Sequence, residues 1–225
     1  MALRLARLLG IIVFLVSGSA AFAQTPPSES EIASYPGLFA AAHRGDVAAI
    51  RQSATRENVN MRDGHGRTPL LVAAHARKIE AMEALVAAGA DPRAKDSRNY
   101  DAITIAAVAD AADVMSAAIR LGGTAKEITS PYLGTALIAA AHLGHDEVVR
   151  RLIKAGAPLD HVNNLGWTAL IEAVILGDGG PRHVACAKAL VEAGARRDLA
   201  DREGRTPLDH ARNRGYAAMV ALLSQ

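Results

Sequence analysis

Residues 134–157 read GTALIAAAHLGHDEVVRRLIKAGA and predict two short helices joined by a tight turn. Thr135 can cap the first helix, because its hydroxyl accepts a hydrogen bond from a free backbone N–H. Gly144 ends that helix, and a second one follows with an apolar stripe of valine, leucine and isoleucine. Gly156 supplies the left-handed residue that often terminates a helix. The unit contains no evident catalytic group, and its apolar stripe needs neighbouring units to cover it.

The rest of the chain supplies such neighbours, because the same pattern recurs after residue 36. The early apolar residue of each copy returns about every 33 residues, except for a last interval of about 38, and such a period is typical of stacked repeats. An alanine pair follows this residue in most copies, and a Gly-Ala pair closes several of them. The recurring apolar residues are Leu38, Leu70, Ile103, Leu137, Leu170 and Leu208.

These motifs resemble the ankyrin repeat. The T-P-L start of that family is present at 68–70 and 206–208, with close variants at 135–137 and 168–170. The resemblance covers residues 37–225 and implies an all-α solenoid of about six helix–turn–helix repeats. The expected repeats are approximately 37–63, 64–96, 97–129, 130–163, 164–201 and 202–225.

Three departures from the family pattern stand out. The histidine that usually follows T-P-L is missing, so apolar packing is expected to replace much of the usual polar network. The third repeat has Asp101 at the threonine position, where aspartate is still a good helix cap. The fifth repeat is longer, and its extra residues, 177–182, are rich in glycine and proline and predict a loop between its two helices.

The N-terminus predicts export. Arg4 and Arg7 precede an apolar run, and small residues end at Ala23, which is the pattern of a secretory signal peptide with cleavage after that residue. An uncleaved anchor is the alternative, but the run is short for a membrane span. Residues 24–36 contain adjacent prolines, Pro26 and Pro27, together with serines and glutamates, and are expected to form a flexible leader. The mature chain is therefore expected in the periplasm or outside the cell, with no membrane attachment.

Composition narrows the function classes. Removing Arg4 and Arg7 with the signal peptide leaves equal numbers of basic and acidic side chains, and no basic run suggests a nucleic-acid partner. Cys186 is the only cysteine and aligns with a core valine, so it is expected to be buried packing. The histidines are scattered, and no nucleophile is paired with a base. We therefore expect no metal, no cofactor and no enzymatic activity.

Aromatic and basic residues before the first helices form the candidate binding site. In ankyrin folds these loop tips project toward the concave groove where partners bind, so the resemblance implies a protein-binding surface there. Exposed aromatic and arginine side chains dominate binding hot spots. The alternative is that the rings only cover neighbouring loops. The candidate residues are His65, Arg67, Tyr100, Tyr132, His142, Trp167 and Arg205.

The favoured function is a non-catalytic protein-binding scaffold in a bacterial cell envelope, acting as a monomer on a protein whose identity is open. Two alternatives remain. One is an enzyme or small-ligand receptor that uses the groove or the 177–182 loop. The other is a shielding or immunity-type protein for one neighbouring enzyme.

Overall fold

A computed structural model describes residues 24–225, so the predicted signal peptide and its cleavage site lie outside the described residues. The described chain contains one leading helix and six helix pairs. The helices are α1 (Glu29–Ser34), α2 (Gly37–Arg44), α3 (Val47–Ser53), α4 (Pro69–His75), α5 (Ile79–Ala87), α6 (Ala102–Val108), α7 (Ala112–Arg120), α8 (Ala136–His142), α9 (Asp146–Lys154), α10 (Ala169–Ile175), α11 (Pro181–Glu192), α12 (Pro207–Asn213) and α13 (Ala217–Leu223).

The six pairs stack in register as two layers. The first helix of each pair packs on the first helices of its neighbours, from α2 through α12, and the second helices do the same from α3 through α13. One continuous apolar core therefore runs from Leu38 in the first pair to Leu223 in the last. The predicted all-α solenoid is confirmed. None of the helices within residues 24–225 is long and apolar enough to cross a membrane.

The first helices are short, capped and rich in alanine, which lets them pack closely. In five of the six pairs, a threonine or aspartate side chain accepts a hydrogen bond from a backbone N–H in the first turn. Six of the seven residues of α8 are buried, and four of them are alanines. The usual family histidine is replaced by apolar residues such as Leu71 and Ile138, and both are buried in the core.

The segment 24–36, expected to be a flexible leader, instead contains α1 and lies against the second repeat. Ser28 and Glu31 form a reciprocal capping box at the start of α1. Tyr35 donates a hydrogen bond of 2.8 Å to the carboxylate of Asp63. The composition suggested a loop because prolines and serines are common in loops, but a serine followed three residues later by glutamate is also a helix-start signal.

The extra residues of the fifth repeat, 177–182, form a turn that contacts the repeats on both sides, and we call it the interlocking turn. Pro181 and Arg182, expected in a loop, are the first residues of α11, a position that suits proline. Arg182 contacts Asp110 of the third repeat at 2.7 Å and Asp146 of the fourth at 3.3 Å. On the other side, the hydroxyl of Tyr216 donates to the carbonyl of Gly177 at 3.0 Å. The insertion thus joins four successive repeats.

Candidate functional site

Each loop between repeats is held by one side chain at its turn. The carboxylate oxygen of Asp96 accepts hydrogen bonds from the backbone N–H groups of Arg98 and Tyr100, both at 2.9 Å. The same arrangement recurs two and three repeats later around Asn163 and Asp201, at 2.9 to 3.0 Å. Asp63 accepts the same two bonds one repeat earlier, and the hydroxyl of Ser130 accepts one, from the N–H of Gly134. We call the four residues after each of these five positions the loop tips: 64–67, 97–100, 131–134, 164–167 and 202–205.

Hydrogen bonds also join several of the neighbouring tips. The N–H of Ser97 donates to the carbonyl of His65 at 3.0 Å, and the N–H of Asn164 donates to the carbonyl of Tyr132 at 2.9 Å. Arg202 donates to the carbonyl of Asn164 at 2.5 Å. Because each tip is fixed internally and the tips 131–134, 164–167 and 202–205 are also fixed to one another, side chains along the edge formed by these three tips are presented in defined positions.

The two central tips, 131–134 and 164–167, are apolar and carry no charged residue. Leu133 is 54% exposed and Leu165 is 39% exposed, and the adjoining Val162 is 47% exposed. Tyr132 and Trp167 are half-buried beside them. Exposed apolar side chains that cluster in this way commonly mark interaction sites. Of the candidate residues, Tyr132 and Trp167 therefore lie where a partner can reach them. The two leucines were not predicted, because a leucine in a loop gives no local sign of whether it is exposed.

Tyr100 and Arg67, both expected on the exposed groove surface, are buried instead. Tyr100 is 1% exposed and belongs to the apolar core, where burial raises the pKa of its phenol. The Arg67 side chain is fully buried, since the segment 24–36 covers it. A partner cannot contact either side chain in this conformation, so the prediction that they form part of the binding surface is wrong.

Arg67 is at the centre of a buried charged cluster. It donates to Asp63 at 2.6 Å, to the carbonyl of Thr25 at 2.9 Å, and to the carboxylate of Glu31. Burial disfavours the charged form of Asp63, but hydrogen bonds from Tyr35 and Arg67 outweigh it and lower the pKa of this carboxyl. His65, exposed at its tip, also approaches Glu31 at 3.3 Å.

His142 lies at the end of α8 and is held by a buried carboxylate that the sequence analysis missed. Its Nδ1 donates to Glu172 at 3.0 Å, and the other oxygen of Glu172 accepts from Asn163 at 2.8 Å. The side chain of Glu172 is fully buried, whereas that of His142 is 12% exposed. This chain of contacts links Asn163, at the base of the tip 164–167, to α8 and α10. Little of the His142 side chain is therefore open to a partner.

Three features remain: the ion pairs of Arg205, the arrangement of possible metal ligands and the burial of Cys186. Arg205 is 49% exposed at the last tip and pairs with Glu203 at 3.4 Å and Asp201 at 3.5 Å. Within residues 24–225, no three His, Cys, Asp or Glu side chains come close enough together to hold a metal ion. Burial raises the pKa of Cys186 to about 12, so its thiol is a packing group and not a nucleophile.

Comparisons with known proteins agree with this architecture. Residues 103–198 match the family described as ankyrin repeats (3 copies), and residues 54–106 match that described as ankyrin repeats (many copies). The chain is 30% identical over 185 residues to the ankyrin repeat protein YahD of Escherichia coli (strain K12). The matched region covers 81% of this chain and 92% of YahD.

Two solved structures are also similar. The crystal structure of an ankyrin repeat domain from Acinetobacter baumannii AYE has a TM-score of 0.78 and 42% identity, covering 83% of this chain and 95% of that one. The structure of the ankyrin repeat protein EF0377 has a TM-score of 0.77 and 32% identity, covering 85% of this chain and 99% of that one.

Proposed function

The chain belongs to the ankyrin-repeat family, and we propose that it is a non-catalytic scaffold that binds another protein through its central loop tips. The observation that carries this proposal is the group of exposed apolar side chains formed by Leu133, Val162 and Leu165. Tyr132 and Trp167 are half-buried in the same two tips. The partner would therefore lie along the edge formed by the tips.

A structural detail supports a binding role for this surface. The third residue of each tip has a positive φ, and three of these residues are glycines while one is Asn99. Leu133 occupies the same position with a φ of 54° and remains 54% exposed. A leucine in this conformation costs about 1 kcal/mol relative to glycine. Backbone strain of this kind concentrates at functional sites.

A photo-crosslinking experiment tests the proposal in cells. A benzoylphenylalanine at Leu165 should form a discrete adduct with another protein. The same group at Lys188, 62% exposed on α11, is the matched control and should not. Leu133→Gly should abolish the Leu165 adduct while leaving the thermal unfolding midpoint unchanged or higher. Adducts at Lys188 alone, or no adduct at either position, would contradict the proposal.

The proposed location is the periplasm or the exterior of a bacterial cell. It rests on the signal-peptide pattern that ends at Ala23. Cell fractionation tests it directly. The full chain should yield a mature protein that begins at Gln24 in the exported fraction, whereas a chain lacking residues 1–23 should stay inside. Recovery of an unprocessed chain in the cytoplasm would overturn this part.

A further inference from the structure

The charge pattern of the tips indicates what kind of segment this surface fits. The two central tips carry no charge, and each is followed outward by a tip with a net positive charge. On one side the tip 97–100 carries Arg98, and on the other the tip 202–205 carries Arg202 and Arg205 against a single Glu203. The surface therefore has an apolar centre between two basic ends, and at the second end Arg205 also contacts Glu203 at 3.4 Å and the buried Asp201 at 3.5 Å.

Resting on the proposed function, we propose that this surface binds an extended acidic–apolar segment of a partner protein. Apolar side chains of that segment would pack on Leu133 and Leu165, and Asp or Glu residues on both sides would face Arg98 and Arg205. Charge complementarity of this kind favours the correct register and disfavours basic competitors. Leu133 is the central apolar contact, because its side chain is the most exposed of the apolar tip residues and stands at a strained turn.

The spacing of the repeats sets the length of this segment. Packed helices lie about 8–10 Å apart, so four consecutive tips extend over about 27 Å. An extended chain advances about 3.3 Å per residue, so about eight residues connect the two basic ends. The two apolar contacts are one repeat apart, which corresponds to about three residues. The expected ligand has two apolar residues about three positions apart, with acidic residues beyond each.

Selection from a random library of displayed dodecapeptides tests this inference on the purified chain. Enriched peptides should carry paired Leu, Phe or Trp residues flanked by Asp or Glu. The affinity of the best peptide should fall at least about tenfold for Leu133→Gly, as for the loss of a binding hot spot. It should also decrease with added salt, since exposed charge pairs are screened.

Two double variants distinguish the contribution of the tip arginines from the effect of the net charge of the chain. The double variant Arg98→Gln with Arg205→Gln should bind the peptide more weakly and lose most of the salt dependence. The control, Arg120→Gln with Lys188→Gln, removes the same charge from exposed positions on α7 and α11 and should bind normally. Circular dichroism melts confirm that each variant is folded.

The outcomes also distinguish this inference from the proposed function. Enriched peptides that are basic or lack apolar residues, unchanged binding by Leu133→Gly, or no enrichment at all would overturn the acidic–apolar segment. The Leu165 crosslink could still form in each of these cases, which would leave a scaffold that recognises a folded surface or a different sequence. Loss of both results would refute both proposals.

Discussion

The carboxylate of Glu31 in α1 accepts a hydrogen bond from the fully buried guanidinium of Arg67, which directly precedes Thr68, the cap residue of the second repeat's first helix. The two residues are 36 positions apart, so their contact fixes the N-terminal segment to the array. The carbonyl of Thr25 is a further acceptor for the same guanidinium. A buried cation needs such partners, because it is strongly disfavoured without them. The segment before the first repeat is therefore part of the folded unit.

Glu31→Gln should lower the free energy of unfolding by about 1–2 kcal/mol. The change removes the negative charge that faces Arg67, and breaking one side of a buried pair is costly, although the Glu31 side chain is 27% exposed and partly screened. Glutamine preserves the capping box with Ser28, so the helix start is retained. Urea unfolding monitored by circular dichroism measures the difference.

Glu29→Gln is the matched control for this prediction. Glu29 lies in the same first turn and is exposed, so its replacement removes the same charge from the helix N-terminus without touching Arg67. It should change the unfolding free energy by less than about 0.5 kcal/mol. Equal effects of the two variants would mean that the helix dipole, and not Arg67, accounts for the role of Glu31.

The burial of His75 predicts that the stability of the chain depends on pH. Its Nε2 is buried and has no hydrogen-bond partner within the described chain, and burial together with nearby Arg67 lowers the pKa of the ring to about 4. The unfolded chain has an ordinary histidine pKa of about 6.5 and so binds a proton first as the pH falls. Stability should therefore decrease by about 2 kcal/mol from pH 7 to pH 5 through this group.

His75→Leu isolates that contribution. Both proteins keep the other seven of the eight histidines, so the difference between their pH profiles reports on this ring alone. The variant should lose about 2 kcal/mol less than the parent chain between pH 7 and pH 5. Its stability at pH 7 should be equal or higher, because an unpaired buried nitrogen is removed. Parallel profiles of the two proteins would show that His75 is not buried as a neutral ring.

The repeat period and the helix caps show where the structure can be predicted from the sequence. The period near 33 and the Thr or Asp caps are set by local chemistry that every copy repeats, so the fold and the capping positions could be read from them. Whether a tip side chain points inward is decided by neighbours from other repeats. Tyr100 and Trp167 both directly precede a cap residue, yet Tyr100 is buried and Trp167 is half-buried. No local signal separates them.

Contacts between distant residues were the least predictable part of the site. Glu172 occupies a position on α10 that is alanine in α8, and only the structure shows that it holds both His142 and Asn163. A charged residue among apolar neighbours was the available signal, since buried charges require partners. Leu133 gave a comparable signal, because it takes the place of glycine or asparagine in the other tips. Comparing copies position by position would have found both.

The close packing around Gly177 predicts that a larger residue there destabilises the chain. A Cβ atom at this position would lie 2.2 Å from the carbonyl oxygen of Ala173 and 2.8 Å from the ring of His183. Gly177→Ala should therefore destabilise the chain by about 2–3 kcal/mol, as overpacking does. Thermal and urea unfolding measure the loss.

Gly64→Ala is the control for steric space. Gly64 has no neighbouring atoms within 4 Å of a built Cβ and is not among the positive-φ glycines. Its replacement should change stability by less than about 0.5 kcal/mol. If the two alanine variants were equally stable, the close contacts around Gly177 would not restrict the turn.

The burial of Cys186 predicts that its thiol stays unreactive in an oxidising compartment. The side chain is fully buried in the α11 layer, and burial raises the pKa of its thiol to about 12, so very little thiolate is present at neutral pH. Thiolate is the reactive species in disulfide exchange and alkylation. The native chain should therefore resist a thiol-specific reagent and react completely only after denaturation. It should also form no disulfide-linked dimer on non-reducing gels.

Cys186→Val, which suits the apolar site, should alter the unfolding free energy by less than about 1.5 kcal/mol. Rapid labelling of the folded parent chain would show instead that α11 opens locally and exposes the thiol.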